Sequence, residues 1–239
     1  RGRARMAAAA AAGGCLTLAQ PPLSFWPVLF AAWPVLFWLL RGTDTLRSAA
    51  RVGWCAGFGF FLTGLYWIGE AFLVEATKVW WYLPLMPLAI GLLSAFLALF
   101  WATAFALAAR LGGTGWHEAL ALAAALSIVE ALRGTVLTGF PWALQAYAWI
   151  ATPVIQSAAL IGVYGLSGLT LLASLLPGLW RPAPALLASG LVIVGWTWGA
   201  YRVPDVAQPT GPVIRLVQPA IDQRDKWRPD NAVPIFRQL

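Results

Sequence analysis

VWWYLPLMPLAIGLLSAFLALFWATAFALAA occupies residues 79–109, between Lys78 and Arg110, and contains no charged side chain in 31 positions. A helix needs about 20 mainly apolar residues to cross the hydrocarbon core of a bilayer. The stretch is therefore long enough for one long or tilted membrane helix. Other parts of the chain show the same pattern.

The composition of the whole chain excludes an ordinary soluble domain. Of its 239 residues, 60% are hydrophobic and 10% are charged, whereas a soluble domain carries about 25% charged residues. Disorder is excluded as well, because it requires low hydrophobicity. The formal net charge of +7 does not indicate a nucleic-acid partner, since the basic residues stand singly between apolar runs and nucleic-acid binding requires a basic face. We interpret the chain as an integral membrane protein.

Uncharged runs predict an all-α bundle of about seven transmembrane helices. The predicted spans are two short helices joined by a turn at Gln20-Pro21-Pro22 within residues 6–40, and then residues 52–74, 79–109, 119–132, 154–176 and 182–201. Beyond Arg202, charges and prolines occur every few residues. The sequence therefore predicts a transmembrane domain over residues 1–203 and a different, non-membrane segment over residues 204–239.

Lys and Arg residues in the short loops predict the orientation, because cytoplasmic loops carry the excess of positive charge. With a cytoplasmic N-terminus, the inner side holds eight basic residues and the outer side three. The inner residues are Arg1, Arg3, Arg5, Arg41, Arg47, Arg51, Arg110 and Arg181, and the outer residues are Lys78, Arg133 and Arg202. Seven spans then place the segment after Arg202 in the periplasm. The basic start also resembles a signal peptide, but the apolar run continues past residue 19, which favours a retained first helix.

Glu130 lies inside the predicted span 119–132, where a charge costs about 2.5–3.5 kcal/mol, and Arg133 directly follows that span. They are three positions apart, so on a helix they share a face and can form an ion pair. The residues that follow are uncharged but are broken by Gly139 and Pro141. Non-helical backbone at this depth must be covered by protein or line a cavity. An ordinary outer loop with aromatic anchors is the alternative to a loop that shapes a lipid-accessible site.

The two cysteines and the single histidine do not indicate a metal or nucleophilic site. Cys15 and Cys55 are 40 positions apart within apolar runs, which is not the spacing of zinc ligands. We interpret both as small core residues. His117 falls at the start of a predicted helix, where a solvated position at the membrane interface explains it.

Four stretches resemble the apolipoprotein N-acyltransferase family. Residues 130–142, EALRGTVLTGFPW, are similar to the family's E-x-L-R-G and L-T-G-F-P-W signature. GFG at 57–59 followed by GLYW at 64–67 resembles its third membrane helix, and LAQPP at 18–22 with WP at 26–27 resembles its first turn. Residues 214–227, IRLVQPAIDQRDKW, resemble the start of the family's periplasmic nitrilase-like domain. The short β-rich run at 213–218, bounded by Pro212 and Pro219, agrees with a buried first strand there.

The resemblance implies a membrane acyltransferase of the bacterial inner membrane that uses no cofactor. Its donor would be a phospholipid, and its acceptor the α-amino group of the diacylglyceryl-cysteine at the N-terminus of a lipoprotein. In the family a Glu-Lys-Cys triad carries the acyl chain as a Cys thioester, and we expect that triad beyond Leu239. The resemblance assigns substrate-binding roles to Trp227, Gly139, Phe140, Pro141 and Trp142, with Glu130 and Arg133 as a structural pair near the site.

Two other classes of membrane protein remain open from the sequence. One is a transporter or channel subunit that uses Glu70 and Glu130 as an ion path, because both carboxylates fall within predicted spans. No inverted repeat, which would favour a transporter, is visible. The other is a non-catalytic anchor for a soluble partner.

Overall fold

The computed structural model describes residues 2–73, 80–203, 211–212, 214–218, 220–221, 223–226 and 228–238. Within these ranges every regular element is a helix, which confirms the predicted helical class. The α-helices are α1 (Gly2–Leu16), α2 (Leu29–Arg41), α3 (Leu46–Gly64), α4 (Glu70–Leu73), α5 (Leu85–Leu111), α6 (Trp116–Arg133), α7 (Ala158–Leu175), α8 (Pro182–Arg202), α9 (Gln223–Lys226) and α10 (Ala232–Gln238). Short 3₁₀ turns join several of them.

Each of the seven predicted spans overlaps one longer helix. These helices are α1, α2, α3, α5, α6, α7 and α8. Three described segments are long and apolar enough to cross a membrane: Leu85–Leu111, Pro153–Leu179 and Pro182–Arg202. A fourth is obtained if Leu46–Gly64 and Tyr66–Leu73, which are bent by 51°, form one broken span. Length and composition alone thus identify three or four spans, and the count of seven stays a prediction.

Local signals in the sequence set the ends of several helices. At the start of α3, the Thr45 hydroxyl accepts a hydrogen bond from the backbone N–H of Ser48 at 3.1 Å and so caps one of the helix's free donors. Pro182 is the first residue of α8, where its fixed φ suits a helical turn and its missing N–H costs nothing. Gly112 and Gly134 directly follow α5 and α6.

Glycines bring the backbones of α1, α3 and α5 into close contact. A Cβ on Gly53 of α3 would lie 2.5 Å from the carbonyl oxygen of Trp101 in α5. On the other side of α3, a Cβ on Gly59 would overlap the backbone of Ala10, and one on Gly13 of α1 would overlap the backbone of Ala56. Small residues permit such close approach between membrane helices.

The bundle has two distinguishable ends, joined by α6. At the end that we call the basic end, α2 finishes and α6 begins, and Arg41 Nε lies 3.0 Å from Glu118 Oε2. At the other end, which we call the loop end, the hydroxyls of Thr17 and Thr63 are 3.2 Å apart. α6 has 18 residues, and at a rise of 1.5 Å per residue it separates the two ends by about 27 Å.

The C-terminal segment differs from its sequence prediction. The described residues 214–218 form no regular structure, and their side chains are exposed, so the buried strand predicted over 213–218 is not observed. A strand is stabilised by pairing with other strands, and none lies beside these residues in the described part of the chain. The predicted boundary at 203/204 adjoins residues 204–210, which lie outside the described ranges.

Candidate functional site

Glu130 and Arg133 occupy the buried face of α6 in its last turn, where the helix packs between α5 and α7. Their exposed fractions are 1% and 2%. A charge buried this fully is costly unless other groups bind it. The contacts of Arg133 therefore indicate what this end of α6 does.

Arg133 binds the loop that follows its own helix, residues 134–142. Its Nη1 donates hydrogen bonds to the carbonyl oxygens of Phe140 at 2.6 Å and Trp142 at 2.7 Å. The Arg133 carbonyl in turn accepts from the N–H of Phe140 at 2.7 Å. Hydrogen bonds from a charged donor are about twice as strong as neutral ones. The three bonds fold the 134–142 loop back against the end of α6.

The backbone of the 134–142 loop explains its two glycines. Gly139 has φ +83°, and a Cβ there would overlap the carbonyl of Gly134. A Cβ on Gly134 would overlap the Tyr164 hydroxyl of α7. Leu137 and Thr138 also have positive φ, at 52° and 75°, so the loop has the non-helical course that the sequence predicted.

Aromatic rings surround the guanidinium and extend the site toward the surface. The Arg133 Cζ lies 5.3 Å from the ring centroid of Phe61 and 6.0 Å from that of Phe140, within the range of cation–π attraction. Trp142 meets Trp67 edge to face, with centroids 6.1 Å apart. Phe140 is half-buried, whereas Pro141 and Trp142 are exposed. The loop thus presents an aromatic surface anchored on a buried cation.

The predicted direct ion pair between Glu130 and Arg133 is wrong. No salt bridge joins them among the described residues, and Glu130 Oε2 and Arg133 Nη2 each lack a hydrogen-bond partner in the protein. Nη1 donates to the carbonyls of Phe140 and Trp142 instead, and Glu130 and Arg133 attract each other as opposite charges without a direct salt bridge. Glu130 faces the Ser167 hydroxyl of α7 and the amide groups of Gln145.

Four buried polar atoms here have no partner among the described protein groups: Arg133 Nε, Arg133 Nη2, Glu130 Oε2 and Gln145 Nε2. Leaving such a group unpaired costs about 1–3 kcal/mol. The hydrogen-bonding capacity of these buried atoms is therefore unused by the described protein groups.

A cavity of about 170 Å³ lies beside Arg133, between the 134–142 loop and α5. Its apolar wall is formed by α5 side chains spaced at i, i+3, i+4 and i+7, namely Leu93, Phe96, Leu97 and Phe100. Ligand pockets usually measure about 300–1,000 Å³, so this space is smaller than a typical ligand pocket. Phe96, one of the wall residues, is 44% exposed.

Tyr147 supports the same loop from the next segment. Its hydroxyl donates to the carbonyl of Pro141 at 3.3 Å. Burial raises the pKa of the Tyr147 phenol, and the nearby Tyr164 acts in the same direction. The phenol therefore remains protonated and keeps its role as a donor at neutral pH.

The structure brings six of the seven predicted site residues together, Arg133 with Glu130 and four loop residues, and adds residues that the sequence did not indicate. Gly139, Phe140, Pro141 and Trp142 lie in the loop that Arg133 binds. Trp227 lies outside the described residues. The missed residues are Tyr147, Tyr164, Gln145, Ser167 and the four α5 side chains of the cavity. The sequence could not single out the four α5 side chains, because α5 is apolar on every face.

The comparisons with known proteins identify the family. Residues 12–176 match the family model described as the apolipoprotein N-acyltransferase N-terminal domain. The chain belongs to this family. The match includes the 134–142 loop and the cavity wall on α5, and it confirms the resemblance found in the sequence.

Curated relatives named apolipoprotein N-acyltransferase support the assignment. The protein of Brucella suis biovar 1 (strain 1330) is 41% identical over 254 residues, which cover 95% of this chain and 46% of the relative. The protein of Allorhizobium ampelinum is 39% identical over 253 residues, covering 99% of this chain and 47% of the relative. That of Rhodopseudomonas palustris is 39% identical over 232 residues, covering 89% and 42%. The chain spans about half the length of the curated relatives that it matches.

The transporter hypothesis gains no support from this family or from the geometry. Glu70 is exposed in the short helix α4, and it is not among the described groups that face Glu130. Cys15 is exposed on α1 and Cys55 is half-buried on α3. Neither cysteine lines the cavity beside Arg133.

Proposed function

We propose that the protein is a membrane acyltransferase. It would move a fatty acyl chain from a phospholipid to the N-terminal amine of the diacylglyceryl-cysteine of a lipoprotein. The observation that carries the proposal is a buried arginine that fixes the 134–142 loop and leaves Nε and Nη2 without a protein partner beside an apolar cavity. Membership of the family supplies the reaction class.

The chemistry divides between two parts of the enzyme. A cysteine thiolate attacks the ester carbonyl of the phospholipid, expels the lyso-lipid and forms a thioester, and the lipoprotein amine then attacks that thioester. Oxyanion stabilisation lowers both barriers. Since the relatives are about twice as long as the chain, we assign the Glu-Lys-Cys triad to the half that it does not cover. The bundle then binds and orients the donor.

The Arg133 cavity suits the polar part of a phospholipid near its ester groups. Unpartnered guanidinium N–H groups donate to phosphate or carbonyl oxygens, and the apolar wall on α5 accepts the start of an acyl chain. Trp142, and Trp227 from the C-terminal segment, are assigned to the substrate-facing rim. In this assignment Glu130 positions the α6–α7 contact rather than the substrate.

Seven membrane spans with a cytoplasmic N-terminus are part of the proposal, and contacts at the basic end are inconsistent with counts of three and four spans. The Arg41–Glu118 salt bridge requires the end of α2 and the start of α6 to lie on the same membrane face. Arg41 and Arg181 line one cavity, so the start of α8 lies on that face too. If only the three spans Leu85–Leu111, Pro153–Leu179 and Pro182–Arg202 crossed the membrane, Arg41 and Glu118 would lie on opposite faces. If the bent pair Leu46–Gly64 and Tyr66–Leu73 crossed as a fourth span, Arg41 and Arg181 would lie on opposite faces. Crossings by all seven longer helices satisfy both contacts.

The remaining assignments follow from that topology. Residues 1–203 would form the transmembrane domain of a protein in the bacterial inner membrane, and residues 204–239 would begin a periplasmic nitrilase-like domain. The 134–142 loop would then face the periplasmic leaflet, where its phospholipid donor and lipoprotein acceptor are located.

The test uses the enzyme at the full length of its relatives, purified and supplied with phospholipid labelled in its acyl chains and a diacylated lipopeptide. Mass spectrometry follows the N-acylated peptide and the thioester. We expect product with the native protein. For Arg133→Gln we expect a decrease of at least tenfold in product formation, because the loop loses both of its charge-assisted hydrogen bonds.

Arg110→Gln is the matched control, because Arg110 is also at a helix end but is exposed and lies outside the cavity. It should keep its activity within twofold. Absence of any N-acyl product from folded native enzyme would overturn the proposed reaction. Equal losses in the two variants would remove Arg133 from the site.

A further inference from the structure

A second, larger cavity lies at the basic end, about 27 Å from the Arg133 site along α6. Its volume is about 920 Å³, and it is enclosed by the end of α2, the start of α6, the turn Leu176–Leu179 and the start of α8. Its polar lining includes Arg41, His117 and Arg181. The acyl-transfer proposal gives this cavity no role.

The cavity carries positive charge that its own residues do not neutralise. Glu118 pairs with Arg41, whereas Arg181 has no acidic partner among the residues that the structure describes. His117 adds an imidazole that can form a hydrogen bond. The Arg5 guanidinium lies beside Gly42 and adds a further cation next to Arg41. An anionic ligand is therefore favoured.

Most of the cavity wall is apolar and continues onto the outer face of α8. Leu176, Leu179, Ala183 and Leu187 line it, and Leu186, the neighbour of Leu187, is 72% exposed. A site for a small inorganic anion would need neither this volume nor a hydrocarbon wall. A lipid would match both the basic rim and the apolar wall, with its phosphate at the rim and an acyl chain along α8.

The rim of the cavity is held in place by aromatic contacts. Trp38 of α2 donates from Nε1 to the carbonyl of Gly178 at 2.6 Å. Its ring also stacks on Trp180, with centroids 5.1 Å apart and planes at 8°. These contacts fix the turn that precedes Arg181. Binding therefore requires little ordering of the backbone, which favours affinity.

We propose that the basic-end cavity binds an anionic phospholipid of the surrounding membrane, with its phosphate between Arg181, His117 and Arg41. Basic pockets between membrane helices bind anionic lipid head groups in this way. The site is separate from the donor site beside Arg133, so its lipid is held rather than consumed. The proposal stands independently of the acyl-transfer reaction.

Native mass spectrometry of the purified chain in neutral detergent tests the site. Phosphatidylglycerol, phosphatidylcholine with the same acyl chains, and inorganic phosphate are titrated separately. We expect one tightly retained phosphatidylglycerol per chain, weak retention of phosphatidylcholine, and no displacement by inorganic phosphate at equal concentration. For Arg181→Gln we expect about fivefold weaker binding, the change that corresponds to about 1 kcal/mol per basic residue.

Two further variants distinguish a cavity from diffuse surface charge. Ala183→Trp occupies part of the cavity without changing its charge and should also weaken retention at least fivefold. Arg51→Gln removes an exposed charge of α3 that does not line the cavity, and it should change binding less than twofold. Equal retention of the two lipids, displacement by inorganic phosphate, an unaffected Ala183→Trp, or equal losses in Arg51→Gln and Arg181→Gln would each overturn the site.

Discussion

Arg133 connects the last turn of α6 to the backbone of the loop that follows it. One guanidinium nitrogen donates to two carbonyls, at Phe140 and Trp142, while the Cζ lies 5.3 Å and 6.0 Å from the ring centroids of Phe61 and Phe140. A lysine could supply a charge here but not the delocalised, weakly hydrated cation that favours contact with aromatic rings. The chemistry of one side chain thus determines the shape of the 134–142 loop.

At this scale we predict that Arg133→Gln destabilises the protein more than Glu130→Gln. Each variant leaves the other charge buried, but only Arg133→Gln also removes two hydrogen bonds from a charged donor, worth about 1.5–3 kcal/mol each. Thermal unfolding in detergent, followed by intrinsic tryptophan fluorescence, compares the two. Equal melting temperatures would show that the loop carbonyls contribute nothing to stability.

We also predict that Gly139→Ala lowers the melting temperature, whereas Gly91→Ala leaves it unchanged or raises it. At φ +83° an alanine is strained by about 1–3 kcal/mol, and its Cβ would overlap the carbonyl of Gly134. Gly91 lies within α5 with open space around its Cβ position, where alanine gains up to about 1 kcal/mol of helix propensity. The same unfolding assay reports both, and a neutral Gly139→Ala would contradict the described loop backbone.

At the scale of elements, α3 is the centre of the packing because it contacts α5 on one side and α1 on the other. Gly53 and Gly57 face Trp101 and Ala98 of α5. Their four-residue spacing puts both glycines on one face of α3, and small residues there permit the close approach. Gly59 instead faces Ala10 of α1.

We predict that Gly53→Ala separates α3 from α5 and destabilises the bundle. The added methyl would lie 2.5 Å from the Trp101 carbonyl oxygen and 2.7 Å from Phe105 Cβ, and overpacking of this kind costs about 1–3 kcal/mol. Gly190→Ala in α8 is the control, because nothing lies within 4 Å of its Cβ position. Melting temperatures in detergent measure the difference, and identical values for both variants would refute the tight α3–α5 contact.

The predictability of the elements differs from that of the site for a physical reason. Apolar runs locate helices because every residue in a run favours the same apolar environment. All seven predicted spans accordingly contain a helix. Side-chain direction is not encoded in such runs. The spacing of Glu130 and Arg133 placed both on one face but could not show that the carbonyls of residues 140 and 142 would compete for the guanidinium. The cavity wall on α5 was hidden for the same reason.

At the scale of the whole molecule, the two ends of α6 present different chemistry. The basic end carries Arg41, Arg181 and His117 around a large cavity, while the loop end carries Arg133 under a surface of aromatic rings. Excess positive charge marks the cytoplasmic face of a membrane protein. The charge pattern therefore favours a cytoplasmic location for the basic end, and the contacts there bring the end of α2 and the starts of α6 and α8 to one face.

Reporter fusions test that orientation and the number of spans together. We predict that fusions after Gly42, Gly113 and Trp180 report a cytoplasmic location, with fluorescent green fluorescent protein and inactive alkaline phosphatase. Fusions after Gly134 and Val203 should give the reverse, because α6 and α8 each cross once from the basic face.

With only three spans, the reporters after Gly42 and Gly113 would lie on opposite sides of the membrane. With four, those after Gly42 and Val203 would lie on the same side. Of these three topologies only the seven-helix one puts Gly42, Gly113 and Trp180 together and Val203 opposite. Either of the other two patterns would therefore exclude it, and the 134–142 loop would lose its place facing the periplasmic leaflet.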